Sequence, residues 1–527
     1  MMESADPIQE ALHAVRAGPN VADVLDHWCR RQPDAVALQF PDHTVSFAEL
    51  ASRSGQVARR LKHAGVAEGS RVGLLELNTP AYFYLFFALA RLGSVLVPIN
   101  FRLAPAEIDF IAADAELKLL FVGPAFDPMV PALGSLDPAS IIRLATRSTS
   151  QKWFGSWGRA TSIVSAAAES DLVQLYTSGT TGNPKGVVTD HSRYLGFIEA
   201  VIKAGWGAYS PGHKQLVAMP MFHVAGLNMA MLVTLQGGTN VVLPAVDPEA
   251  ILKTLDAEKI RSTLMAPAVL QMMVQHPLAR LLSFDHLDEV LYGASPISEA
   301  LQAKVAETFD CKLVQLYGMT ENLGGGTYLG TAEHAPERGL LRSCGKAYEG
   351  SELIIVDGDG KPVPTGEVGE VLTRSAWTMK AYWNRPEETR EALEGGWLHT
   401  GDAAYMDEDG YVFIFDRLKD MIVTGGENVY PAEVENALAG YPGVRQVAVI
   451  GVPDETWGEA VKAVLVMDEG EELDPAAIND YASQKLAKFK LPKSYELAQA
   501  LPMNATGKIL KKELRKKYWS DKDRQVG

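Results

Sequence analysis

Cysteine is scarce: the chain has three in 527 residues, Cys29, Cys311 and Cys344. They lie far apart and form no CxxC pair, which argues against a zinc site and a disulfide framework and for a reducing, cytoplasmic setting. Basic residues are outnumbered, 49 Lys and Arg against 65 Asp and Glu, giving a formal charge of -16. A surface this acidic does not attract nucleic acid or an anionic membrane through a general field, so anionic ligands need local devices. A long unbroken apolar run is also missing. The most apolar stretch, AYFYLFFALARLGSVLVPIN from Ala81, is interrupted by Arg91, Gly93 and Pro98, whereas a membrane span needs about twenty largely apolar residues. It predicts a buried helix, a stop at Gly93 and a buried strand. The N-terminus carries acids and lacks the basic-then-apolar order of a signal peptide. Internal repeats and low-complexity runs are absent, and oligomeric state is not legible.

What is present is an alternation of helix and strand over a chain too long for one ordinary domain. FAELASRSGQVARRLKHAG has helical spacing, with Ser46 as N-cap and Gly65 as stop. Residues 71–77 and 94–98 read as short buried strands, and residues 127–168 as an irregular surface connection. From Asp171 the alternation resumes: DLVQLYT, 215–219 and 240–243 are predicted strands, and 248–258 a helix. After Gly350 the texture changes to short strands parted by Gly/Asp turns, SELIIVDGDG, GEVGEVLTR and GYVFIFDR, which predict a twisted or barrel-like β region. A boundary falls near 416–420. Beyond it come the strand MIVTGG, the helix PAEVENALAGY with Pro431 in its first turn, the strands QVAVIGV and KAVLVMD, and a basic helix. On that helix Leu510, Leu514 and Tyr518 are expected to face inward. The expected class is α/β: a large N-terminal domain, residues 1–416, of layered α/β sheets plus a distorted β-barrel region, and a small α+β C-terminal domain, residues 417–527.

One string carries chemistry on its face. YTSGTTGNPKGV, from Tyr176, follows the strand DLVQL; Gly179, Gly182 and Gly186 relax the backbone, while Thr177, Ser178, Thr180, Thr181 and Lys185 offer hydroxyls and a charge. Such a loop can wrap nucleotide phosphates with N–H and O–H donors. It is not a Walker A loop, since no GK[ST] closes it. Alone it also reads as a turn between strand and helix. Further strings follow in order: MPMFHVAG from Met219, YGASPIS from Tyr292, LYGMTEN from Leu316, WLHTGD from Trp397, DRLKDMIVTGGENVYPAEVE from Asp416 and PMNATGKI from Pro502.

Together these strings resemble the adenylate-forming superfamily of acyl-CoA synthetases, luciferases and peptide-synthetase adenylation domains, over nearly the whole chain. The resemblance implies an ATP-dependent acyl-CoA ligase: a carboxylate attacks the α-phosphate of ATP, pyrophosphate leaves, and coenzyme A takes the acyl group from the adenylate. Positioning two anions and neutralising growing charge is the main task. By the family pattern Glu321 supports Mg2+ and Thr320 bonds the α-phosphate. Tyr317 stacks on adenine, with Gly293, Ala294 and Ser295 at its other face. Asp402 accepts the ribose hydroxyls and Arg417 adds a donor. Lys508 bridges carboxylate and phosphate, and His223 lies beside the acyl pocket. Taken singly, Thr320–Glu321 reads as a loop or helix start, Tyr317 as a core aromatic, Asp402 as a turn acid, His223 as a core histidine and Lys508 as a solvated lysine.

The resemblance further implies that the C-terminal domain is mobile, rotating at the hinge Lys419 between two half-reactions, with Gly425 and Gly426 lining the pantetheine path. LAKFKLPKS resembles the CoA-nucleotide segment of bacterial aroyl-CoA ligases, which assigns Phe489 and Lys490 to coenzyme A, with Trp457 as a second stacking surface. Leu491 departs from that pattern, where an arginine is usual. A lysine acetyltransferase acting on Lys508 would switch off the first step. Alternatives are a free-standing adenylation domain that loads a carrier protein, a luciferase-type oxygenase, and a non-catalytic adenylate sensor. Phe222, His223, Asn228, Met229 and the run Gly324, Gly325, Gly326 are the expected pocket wall, suiting an apolar medium-chain or aromatic acid.

Overall fold

The computed structural model describes residues 7–144, 147–155, 166–177, 184–295, 297–417, 420–424, 427–454, 456–471, 473–503 and 509–519. The apolar stretch at Ala81 forms the helix Pro80–Leu92, which ends where Gly93 adopts φ 65° and leads into the strand Val95–Pro98. Every residue from Ala81 to Arg91 is buried. Arg91 is tolerated because Asp26 takes both of its terminal nitrogens, at 2.6 and 2.8 Å, the fork geometry that suits guanidinium and carboxylate. The helix Phe47–His63 packs against it, with the Ser46 hydroxyl accepting from Glu49 N–H as predicted.

Two large sheets organise the N-terminal part. One has seven strands in the order Ala381–Tyr382, Lys185–Asp190, Asp171–Thr177, Val95–Pro98, Arg71–Leu75, Leu119–Val122 and Ile141–Arg143. The other has nine, with Lys214–Val217, Ser262–Met265, Glu289–Gly293 and Lys312–Tyr317 running parallel near its middle. A single apolar core joins them: Leu96 and Leu172 from the first sheet cluster with Val217 and Leu291 from the second and with the buried helix Val224–Thr234. Parallel central strands align their carboxyl ends along one edge, where open α/β sheets bind ligands.

The Gly/Asp-punctuated region forms a four-stranded antiparallel sheet, Ser351–Val356, Gly369–Ser375, Leu398–Met406 and Val412–Arg417. The smaller C-terminal domain is a sheet of Ile422–Thr424, Glu427–Val429, Val444–Asp454, Gly458–Met467 and Ser494–Leu497, covered by the helix Pro431–Ala439. Among the described residues no helix is long and apolar enough to cross a membrane.

Two expectations need correction. Residues 127–168 are not merely an irregular connection: Ile141–Arg143 extends the seven-stranded sheet, and the helix Arg147–Phe154 buries Trp153 and Phe154 against Phe121. One short edge strand and two aromatic anchors leave too little periodicity to be seen in sequence. Leu510 is 38% exposed, whereas Leu514 and Tyr518 pack on the C-terminal core. The last helix starts at Lys511, so Leu510 precedes it and is off its inward row.

Candidate active site

The phosphate-type loop is a hairpin connection rather than a strand-to-helix turn. Its flanking strands are antiparallel, with Thr177 opposite Lys185. Ser178, Gly179, Thr180, Thr181 and Gly182 lie outside the described residues. A third strand, Ala381–Tyr382, pairs with the exit strand at Val187 and Val188. This pairing brings in a residue that sequence reasoning missed. The Tyr382 hydroxyl donates to Glu321 Oε1 at 2.8 Å, and the Lys185 ammonium sits 5.2 Å from the Tyr382 ring centroid. Lys185 also forms an ion pair with Glu388. Glu321 is 5% exposed, and its carbonyl accepts from Met379 N–H at 2.7 Å. Tyr382 thus ties the exit of the loop to the acid expected to support a metal. Its sequence context, AYWNRPE, gives no sign of this, because the contact depends on a strand pairing across almost two hundred residues.

The residues expected on the nucleotide side lie at the carboxyl ends of two neighbouring parallel strands. Gly293 ends one and pairs with Leu316 of the next. Ala294 then takes φ 68°, a backbone state that costs a non-glycine residue about 1–2 kcal/mol. Ser295 follows on the same turn. Tyr317 ends the second strand, and its hydroxyl donates to Asp402 Oδ2 at 2.7 Å. Burial and the Asp402 carboxylate push the Tyr317 phenol well above its usual range, so it stays a donor. Asp402 is 7% exposed and lies opposite Arg417 across the antiparallel pair Leu398–Met406 and Val412–Arg417. Tyr317, Asp402 and the backbone of Arg417 are therefore brought together by two different sheets. Thr320 and Glu321 occupy the 3-10 turn Thr320–Asn322 that follows. At Gly318 the chain passes Gly324 so closely that a Cβ would stand 2.3 Å from the Gly324 carbonyl carbon, leaving no room for a side chain.

Behind this edge lies an apolar cavity. Gly293, Ala294 and Gly318 line it at the strand edge, and Met229, Leu232, Leu264 and Tyr348 are among its other walls. His223 lines it and N-caps the helix Val224–Thr234, with Nδ1 accepting from Ala225 N–H at 3.4 Å. Asn228, Met229 and Gly324 line it as expected. Three other expected wall residues do other work. Phe222 packs edge-on against Phe101, at 5.0 Å between ring centroids. Gly325 makes room for Phe197 and Trp377, and Gly326 for Tyr317, which fall within 2.7 and 2.9 Å of an added Cβ. Those two glycines let protein pack on protein, not on substrate.

In the C-terminal part Lys419, Gly425, Gly426 and Lys508 lie outside the described residues. Met503 and Ile509, on either side of the Lys508 segment, form an antiparallel bridge. Trp457 and Phe489 are 51% and 37% exposed, as flat stacking surfaces need to be. Lys490 differs from expectation in its surroundings: its ammonium donates to both carboxylate oxygens of Glu433 at 2.7 Å.

The AMP-binding enzyme family matches residues 25–383, and the AMP-binding enzyme C-terminal domain matches residues 433–508. A fatty acid–[acyl-carrier-protein] ligase of Streptomyces coeruleorubidus is 38% identical over 94% of this chain and 96% of its own. A feruloyl-CoA synthase of Amycolatopsis is 37% identical over 93% and 97%. The solved fatty acyl CoA synthetase of Mycobacterium tuberculosis covers 96% of this chain and 99% of its own, with 34% identity and a TM-score of 0.76. The motif order, the sheet architecture and these likenesses agree: the chain belongs to the AMP-binding enzyme family, in the acyl-CoA synthetase branch of the adenylate-forming superfamily.

Proposed function

We propose that the protein converts an apolar medium-chain or aromatic carboxylic acid, ATP and coenzyme A into the acyl-CoA, AMP and pyrophosphate through an acyl-adenylate. The observation that carries this reading is an apolar cavity lined by His223 that reaches Gly293 and Leu316, next to the Tyr317–Asp402 pair. An acid seated with its tail in that cavity has its carboxylate at the strand edge. Asp402 is the acceptor for the ribose hydroxyls, the 293–295 turn borders the base, and Lys185 with Thr320 meets the phosphates.

Glu321 fits Mg2+ in a specific way. Among the described residues no group of three or more His, Cys, Asp or Glu is placed to hold a metal. Mg2+ commonly takes one carboxylate and completes its octahedron with phosphate oxygens and water. Glu321, buried and oriented by Tyr382, is the protein's contribution, and the bound ion would supply charge neutralisation at the phosphates. Lys508 adds a mobile charge in adenylation. A boundary after residue 416 and a hinge at Lys419 then let the C-terminal domain turn, so that Gly425 and Gly426 face the thiol step. Trp457 and Phe489 are the surfaces for the CoA nucleotide; Lys490 serves it only after leaving Glu433.

A second reading, loading of an acyl-carrier protein, is favoured by the relative named for that reaction. Acid-dependent exchange of labelled pyrophosphate into ATP tests the shared first step. Release of the adenylate by CoA, against release by a phosphopantetheinylated carrier, separates the two. Faster release by the carrier would overturn the choice of CoA.

A further inference from the structure

The far end of the acyl cavity has a polarity that its walls do not. Among its lining residues none is Asp, Glu, Lys or Arg. The cavity reaches Gly293 and Leu316, partners at the carboxyl ends of two neighbouring parallel strands. Trp206 lines the cavity too, and it also lines a second, polar cavity with Glu289 and Lys312, the first residues of the same two parallel strands. Four residue steps separate Glu289 from Gly293, about 13 Å of strand. Trp206 therefore stands at the end remote from the reacting edge, as the partition between an apolar and a polar space.

Tyr348 shares that partition. Its ring centroid is 6.5 Å from that of Trp206, 6.0 Å from that of Trp377 and 4.8 Å from that of Tyr328. Trp206 is 7% exposed and Tyr348 2%. Among the described residues the Trp206 indole N–H and the Tyr348 hydroxyl are both closed to solvent and lack an acceptor in good hydrogen-bond geometry; the indole approaches the Tyr348 oxygen. Asn228, on the same wall, is the contrast: its oxygen accepts from the Tyr194 hydroxyl at 2.9 Å and its amide donates to the Leu323 carbonyl at 2.8 Å. Folded proteins leave few buried donors unmatched. Even with the indole turned to the Tyr348 oxygen, the Tyr348 proton is left without an acceptor, so this end of the cavity calls for one that arrives with the substrate. Burial raises the Tyr348 phenol above its usual range, which keeps its proton in place. With no cation on the walls, a distal carboxylate would be buried without a counter-charge, so the acceptor is neutral.

We propose that the acid taken by this cavity carries a neutral oxygen acceptor, such as an ether, carbonyl or hydroxyl, at its end remote from the carboxylate, and that Trp206 and Tyr348 select for it. The proposal rests on the reading of the cavity as the acyl site of an acid-activating ligase. A site built to donate to a substrate oxygen discriminates against the analogue that lacks it, because the protein donors are then left buried and unpaired.

The experiment compares kcat/KM for two matched pairs of acids: 3-(4-methoxyphenyl)propanoate against 3-phenylpropanoate, and 7-oxooctanoate against octanoate. The wild type is expected to prefer the oxygenated member of at least one pair by about tenfold or more. Trp206→Phe and Tyr348→Phe remove a donor and keep a ring. Each is expected to collapse that ratio toward one, chiefly by raising KM for the oxygenated acid, with thermal unfolding confirming a folded protein. A wild-type ratio at or below one in both pairs would overturn the proposal, as would a ratio that neither variant moves. Acid-dependent pyrophosphate exchange without preference sinks this inference alone. Absence of exchange with all four acids counts against the ligase reading beneath it.

Discussion

Replacing Tyr382 with phenylalanine removes a hydroxyl at the junction of the proposed phosphate loop and the acid proposed to support the metal. The variant keeps the ring, and so keeps the Lys185 ammonium 5.2 Å from its centroid. It removes only the hydroxyl that donates to Glu321 Oε1 at 2.8 Å. Glu321 is 5% exposed, so water replaces that donor poorly. A hydrogen bond to a charged group contributes about 1.5–3 kcal/mol, and a tenfold change in an equilibrium constant is about 1.4 kcal/mol. If the full loss falls on orientation of the carboxylate, the Mg2+ needed for half-maximal pyrophosphate release rises about 10- to 100-fold. The assay is initial rate against Mg2+ concentration at saturating acid, beside a thermal melt. Because Tyr382 acts through Glu321, the double variant with Glu321→Gln should show little further loss beyond Glu321→Gln alone. An unchanged Mg2+ requirement with an unchanged melting temperature would refute the positioning role. Fully additive losses would refute the coupling.

Asp402→Ala removes the partner of the Tyr317 hydroxyl and the acceptor proposed for the ribose, so KM for ATP should rise about tenfold or more, in line with loss of charge-assisted hydrogen bonds; a wild-type KM would show that the ribose lies elsewhere. Lys508→Ala should slow adenylation about a hundredfold or more, as loss of a transition-state donor does, while retaining much of its thioester formation from supplied acyl-adenylate; equal loss in both half-reactions would remove the case for domain rotation. Glu76→Gln tests a buried acid away from the site: burial lifts Glu76 from 4.5 to about 7. A raised carboxylate means the folded state holds the proton more tightly, so its stability contribution is present below the unfolded value and is lost as pH rises to about 7. The Gln variant should therefore melt higher than wild type at pH 8, by up to about 3 kcal/mol in stability, and gain little at pH 4. A gain that is the same at both pH values would contradict the assignment.

The sequence disclosed the fold class, and the reason is visible in particular elements. The helix Pro80–Leu92 and its Gly93 stop, the Ser46 cap and the strand Asp171–Thr177 are local features, set by periodicity and single residues that a linear reading can see. The residues proposed for the site sit in short strings, which a linear reading can pick out. What stayed hidden was long-range. Tyr382 reaches Glu321 only through strand pairing. Glu433 meets Lys490 only in the folded C-terminal domain. Trp206 and Tyr348 share a cavity although 142 positions apart would give no pattern to read. The glycine run at 324–326 misled in part because sequence shows small residues but not which neighbour fills the space they leave.

The most direct measurement is product analysis after incubating the purified protein with ATP, Mg2+, coenzyme A and an active acid. AMP, pyrophosphate and the acyl-CoA in equal amounts, with AMP release accelerated by CoA, are the expected result. ADP and orthophosphate would instead mark an acyl-phosphate route and contradict adenylate formation. AMP and pyrophosphate with no CoA-dependent release would contradict the thiol acceptor proposed here.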